Sequence, residues 1–261
     1  MPVLRNVREN PLRHDLCYKN RVTGFGRSRS RLSRYRLTLF QSLIAALVMS
    51  FTASVPAADW QLDVDEDGIK LYTRQAENSP MKAYRVVTRV KANLSSLVAF
   101  LNDEKQFPAW MDKVSEVKKL REISDKEKLV YQVIDAPWPE KDQDSVLYTK
   151  WSQDPETLAV TKSIIGEPMY MDKHSNRRRQ QYYQASWQLT PQDNGMVEVV
   201  YSAEIDPGVG EVKEWMEEML AYQMPFNTLR NFRKANFDNY ASSSFAYIKE
   251  PGGSGLAMAG E

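Results

Sequence analysis

The chain has 261 residues, of which 42% are hydrophobic and 11% aromatic, enough apolar material to bury a core. Its net charge of +1 hides an uneven distribution: residues 1–58 carry ten Lys/Arg against two acids, a net of +8, which leaves −7 for residues 59–261. An acidic body repels phosphate backbones, so no nucleic-acid partner is expected.

The basic stretch reads as a leader rather than a domain. Arg34 and Arg36 precede the apolar run Leu37–Phe51, and small residues follow in Ala53-Ser-Val-Pro-Ala-Ala58, which places signal-peptide cleavage after Ala57 or Ala58. The alternative is an uncleaved anchor over Leu37–Val55, whose 19 residues approach the length of a membrane span. Either way an exported, periplasmic location is expected for the body. Cys17, the single cysteine, lies in this leader, so residues 59–261 offer no disulfide, thiolate ligand or cysteine nucleophile.

The body opens on strands. Gly68–Arg74 alternates after an Asp-Gly turn signal, and Lys82–Lys91 alternates at greater length. At Asn93 the period changes: Leu94, Leu97, Val98 and Leu101 share one helical face, with Asn93 as N-cap, and Phe107–Met111 reads as a second short helix or turn. Six further strands are predicted at 114–123, 128–136, 145–152, 158–165, 179–189 and 196–205, with Asp193-Asn-Gly195 as a turn. After Pro207-Gly-Val-Gly210 the pattern becomes helical, with Trp215, Met216, Met219, Leu220, Met224, Phe226, Leu229 and Phe232 in a broad stripe. Pro225 removes one backbone donor and predicts a kink there. Residues 242–261, with Pro251-Gly-Gly-Ser-Gly255, read as a disordered tail. The domain expectation is thus a leader over 1–58, one domain over 59–241 and a tail. Its class is α+β: a curled antiparallel sheet of about eight to nine strands, two short inserted helices, and a long terminal helix over the concave face.

Several short motifs occur in order along this pattern: Asp67-Gly-Ile-Lys-Leu-Tyr-Thr73, Phe107-Pro-Ala-Trp110, Tyr131 followed by Ala136-Pro-Trp-Pro139 and Asp144, Trp187-Gln-Leu-Thr-Pro191, and Asp206-Pro-Gly208. With them the chain resembles the START (steroidogenic acute regulatory protein-related lipid transfer) domains, in particular exported bacterial members. The resemblance implies a helix-grip fold with an apolar cavity between sheet and terminal helix, holding a lipid or another apolar small molecule. It also implies lipid binding or transport with no cofactor, and transient membrane contact. The family usually has Arg-Asp where this chain has Gln143-Asp144, and Gln cannot hold an anionic head group as Arg does. Arg179 fits the family's Arg at the entry to the next strand.

On this reading Trp110, Tyr131 and Trp138 line either core or cavity. Asp135 faces a ligand hydroxyl or marks a strand end, and Gln143 and Arg179 complete the polar part. Trp215, Met216, Met219 and Leu220 form the lid, since methionine adapts to varied apolar shapes. Met169-Tyr-Met171 reads as a loop at the cavity mouth or folded onto the core. Arg177-Arg-Arg179 is either a salt-bridged strand start or an anionic-lipid patch, with Arg177 and Arg179 on one face. His174, the only histidine after residue 58, lies in a polar stretch with no second ligand for zinc and no nucleophile elbow. No metal site or catalytic residue is expected. The enzymatic alternative is a cyclase- or aromatase-like helix-grip protein, and a third reading is an adaptor whose cavity is filled by side chains.

Overall fold

The computed structural model describes residues 59–252. The leader, with its cleavage point and apolar run, lies outside the described residues, as does the tail beyond Gly252.

Ten strands build one sheet: β1 (Gln61–Glu66), β2 (Ile69–Gln75), β3 (Lys82–Lys91), β4 (Val114–Glu122), β5 (Glu127–Ile134), β6 (Gln143–Gln153), β7 (Val160–Gly166), β8 (Arg178–Arg179), β9 (Tyr182–Pro191) and β10 (Met196–Asp206). Their order is β1-β2-β3-β10-β9-β7-β6-β5-β4, with the two-residue β8 paired in parallel to β6. β1 is one strand more than the sequence pattern shows. It turns into β2 through Asp67 and Gly68, both at positive φ (52° and 70°), and Glu66 pairs with Ile69 across them. That is the two-residue hairpin that Asp-Gly favours, because both central positions are left-handed. A Cβ on Gly68 would also meet the Arg233 guanidinium at 3.1 Å.

Between β3 and β4 lie α1 (Leu94–Phe100) and α2 (Phe107–Trp110). Asn93 caps α1 as expected, its side chain accepting from Ser96 N at 2.7 Å. After β10 come α3 (Glu214–Glu217), a π-helical turn over Glu218–Gln223, and α4 (Met224–Arg233). The wide turn ends just before Pro225, whose ring cannot follow a regular α-helical turn. The expected kink is therefore a π segment that hands the chain over to α4.

The terminal segment lies on the concave face of the sheet, and both contribute to one apolar core. Val86, Tyr84, Trp187, Leu189, Val199 and Tyr201 come from the strands, and Met216, Leu220, Met224, Leu229 and Phe232 from the terminal segment. A smaller cluster of Leu129, Tyr131, Val133 and Val146 occupies the opposite face of β5 and β6.

The tail expectation is corrected for residues 242–252. Phe245, Tyr247 and Ile248 pack against the main core. Gln153 clips the main chain of Lys249 at both N (2.7 Å) and O (2.8 Å). Glu250 then accepts from Leu94 N (2.9 Å) and Ser95 N (2.7 Å), closing the first turn of α1.

Candidate ligand site

Strand alternation decides which candidate residues can meet a ligand. On β6, Gln143, Ser145, Leu147, Thr149 and Trp151 point to the concave side, while Asp144, Val146 and Tyr148 point away. On β5, Val130 and Ile134 belong to the main core, while Leu129, Tyr131 and Val133 belong to the outer cluster.

The concave wall is aromatic. Trp187 and Tyr201 stack with ring centroids 4.3 Å apart, and Phe232 from α4 lies 5.5 Å from Trp187. Trp110 joins them, 5.8 Å from Trp187 and 4.9 Å from Phe100. Burial pushes the phenols of Tyr84, Tyr183 and Tyr201 well above their usual range, and the charge of a neighbouring phenol pushes each the same way. All three therefore stay neutral at any physiological pH. Beside them runs a buried amide chain: Gln180 Nε2 donates to Gln143 Oε1 at 2.9 Å, and Ser145 Oγ donates to Gln180 Oε1. Tyr84 Oη and Trp110 Nε1 are buried without a hydrogen-bond partner among the described residues. Each such group costs free energy unless something accepts or donates to it.

Five predicted residues come together here. Trp110, Gln143, Met216, Met219 and Leu220 are all buried on the concave side. Trp215 is half-buried and packs at the edge of the same core.

Four do not. Tyr131 takes the outer face because its neighbours Val130 and Ile134 hold the inner one. Asp135 is exposed just past the end of β5, with its N–H on Lys113 O at 2.8 Å. Trp138 is 93% exposed in the β5–β6 loop. Arg179 is buried on the outer face, where the parallel β8–β6 register sets it opposite Asp144. It donates to Asp144 through Nε and Nη2, at 3.0 Å each, and to the carbonyl oxygens of Pro168, Met171 and Asp172. A guanidinium so occupied has no donor left for a ligand. Tyr131 completes the network, donating to Asp144 Oδ2 (3.0 Å) and accepting from Arg177 Nη1 (2.7 Å). Arg177 and Arg179 thus share a face as alternation predicts, and Arg178 pairs with Glu140 on the other side. His174 is exposed, with its ring 5.6 Å from that of Tyr131. Among the described residues, no cluster of His, Cys, Asp and Glu could hold a metal ion.

Three segments meet at one end of the sheet. Lys141 of the β5–β6 loop donates to Ser175 O of the β7–β8 loop at 2.8 Å, and Lys213, just before α3, reaches Glu140 at 2.6 Å. Trp138 and Met169, the latter 87% exposed, stand out from these two loops, while Met171 folds back onto the outer cluster. A concavity of about 1050 Å³ on the opposite, outer face is open and charged. Arg85 covers Trp60 there at 4.4 Å, so it makes a poor apolar site.

One residue that the sequence pattern did not single out stands inside: Lys162, on the inward side of β7 between Val160 and Ile164. The signal was available, since a lysine in the inward register of an apolar strand is rare.

A curved antiparallel sheet with a terminal helical segment laid across its apolar concave face defines a helix-grip protein. The chain belongs to the START domain family, whose family model matches residues 42–239. An uncharacterised protein of Pseudomonas aeruginosa, PA1579, is 30% identical over 197 residues, which cover 76% of this chain and 96% of that one. Among solved structures, a STAR-related lipid transfer protein fragment from Xanthomonas axonopodis is 30% identical with a TM-score of 0.60, covering 67% of this chain and 97% of the fragment. Human StAR-related lipid transfer protein 5 shares the fold at 12% identity and a TM-score of 0.60, covering 77% of this chain and 96% of that one.

Proposed function

We propose that the protein binds one lipid-sized apolar molecule between the concave sheet and the terminal segment and carries it outside the cytoplasm, without covalent chemistry. The observation that carries this reading is the make-up of the closing segment. Met216, Met219 and Met224 lie buried along a helix interrupted by a π turn, over an aromatic wall with neutral hydroxyls and amides set into it. Flexible thioethers can repack around a guest where branched side chains cannot. A π turn is a common place for a helix to yield. Desolvation supplies the affinity, at roughly 25 cal/mol per Å² of apolar surface buried, and the polar groups fix orientation.

Membership of the START family and likeness to a bacterial lipid transfer protein support the same reading. The exposed Trp138 and Met169, at the end where the terminal segment begins, suit brief contact with a membrane surface while the ligand passes. The basic-then-apolar leader supports export.

Native mass spectrometry of the protein purified from its own host tests this. The expected result is a bound species of lipid mass, on a chain starting at Ala58 or Asp59. A ligand-free protein that also fails to bind a fluorescent fatty-acid probe would overturn the binding reading. A chain that retains Arg34 would overturn cleavage.

A further inference from the structure

The ligand reading leaves Lys162 unexplained. Its side chain is buried, and its ammonium donates to Leu101 O, at the end of α1, at 2.6 Å. The rings of Phe107 and Trp151 lie 5.6 and 5.4 Å from Nζ. Among the described residues it forms no ion pair. The charged groups that act on it are Lys128 and Glu104, and these two are paired with each other. Burial, and then Lys128, push the lysine down to about 7, with Glu104 opposing. Two of its three N–H donors thus have no acceptor among the described residues.

Phe107 has a second donor on its flank. Trp110 lies 5.3 Å from Phe107, and its Nε1 is buried with no acceptor. A buried cation and a buried indole thus both pack against Phe107 beneath the α1–α2 insert, in an interior whose other described polar groups are neutral hydroxyls and amides. Buried charges in proteins are normally paired.

We propose that Lys162 receives the carboxylate of the bound apolar ligand, so that the ligand class is a long-chain acid whose tail runs along the methionine-lined side. This rests on the apolar-ligand reading above. A carboxylate has two oxygens for the two remaining donors of the ammonium, and its charge supplies the counter-ion that the lysine lacks. A neutral oxygen would accept from one N–H but leave the ammonium charge unpaired.

The pH dependence has a definite sign. Below about 7 the lysine is charged before the acid arrives; above it a proton must be taken up on binding, so affinity for the anion falls toward tenfold per pH unit.

The test compares laurate with dodecanol, which have the same chain and different heads, on the purified protein at pH 6 and pH 8.5. The expected result is at least a tenfold preference for laurate at pH 6 that shrinks at pH 8.5, and its loss in Lys162→Met with dodecanol binding unchanged. Replacing an unpaired buried cation by an apolar isostere leaves the fold intact or firmer, and the unfolding midpoint of the variant checks this. Equal affinity for the two probes in the unaltered protein overturns the carboxylate site but leaves apolar-ligand binding standing. So does a laurate preference that survives Lys162→Met. Loss of both probes in the variant at unchanged midpoint shows that Lys162 only shapes the interior. Binding of neither probe by the unaltered protein overturns this proposal together with the ligand reading.

Discussion

Arg179 and Asp144 form a two-point ion pair sealed from water, Nε to Oδ1 and Nη2 to Oδ2 both 3.0 Å, with side chains 0% and 1% exposed. The pair is the hub of the β7–β8 loop, because the rest of the guanidinium holds carbonyls at Pro168, Met171 and Asp172. Asp144→Asn leaves that guanidinium buried without its counter-charge, at a cost of about 3–5 kcal/mol. A lowered unfolding midpoint and faster proteolysis between residues 167 and 177 are the expected outcomes. An unchanged midpoint would show that the pair contributes nothing to the fold.

The same carboxylate sets an acid limit. Burial alone would raise Asp144, but hydrogen bonds from Arg179 and Tyr131 and the charge of Arg179 outweigh it and hold the group below its usual range. With a lower pKa in the folded state, its stabilisation is fully present above the unfolded value of about 3.9. It is lost as pH falls through the folded value. Acid titration should therefore show a cooperative loss of the loop below about pH 4. In Asp144→Asn this step should be absent.

Met219 discriminates a ligand space from ordinary core. It is buried on the π turn, between Met216 and Met224. In a closed core Met219→Trp costs about 1–3 kcal/mol by overpacking. Where a guest normally sits, the indole takes up its volume. The expected outcome is at least tenfold weaker binding of a fluorescent fatty-acid probe with a stability loss below that range. A clear loss of stability at unaltered affinity would place the ligand elsewhere.

Glu250 links the last described segment to α1. Its carboxylate accepts from Leu94 N and Ser95 N, so Glu250→Ala returns two helix-end donors to unsatisfied or hydrated states. The loss should be near that of a helix cap, about 1 kcal/mol. Hydrogen exchange at Leu94 and Ser95 should accelerate selectively. Unaltered protection at both amides would mean that the contact does not persist in solution.

His174 tests the absence of catalysis. It is exposed, and its ring meets that of Tyr131 in the outer-face network. His174→Ala should leave ligand affinity, and any turnover of an apolar substrate, unchanged. A tenfold loss of turnover, about 1.4 kcal/mol in barrier, would return the cyclase-like reading to consideration.

Local pattern in the chain was sufficient for most of the elements. Period-two alternation marks β3, β6, β9 and β10; Asn93 marks the start of α1; Asp67-Gly68 and Asn194-Gly195 mark tight turns, all four residues at positive φ. These signals depend on neighbours in sequence, and no tertiary partner overrides them. The burial of Met216, Met219 and Leu220 follows from the helical period, whereas Gln143 lies ahead of the predicted strand and is singled out only by the family resemblance.

What only the tertiary structure decided depends on partners far along the chain. Tyr131 and Arg179 face outward because the β8–β6 register and a second apolar cluster claim that side of the sheet, and no local pattern encodes which face of a fully apolar strand is inner. Residues 242–252 read as a disordered tail because small and turn-forming residues dominate them. They are held by Gln153, Leu94 and Ser95, about 100 to 155 positions away. Lys162, which no local pattern singled out, is enclosed by the end of α1, Phe107 and Trp151. Its desolvation is a property of the assembled core, since burial by distant elements, and no feature of the lysine itself, strips water from the charge.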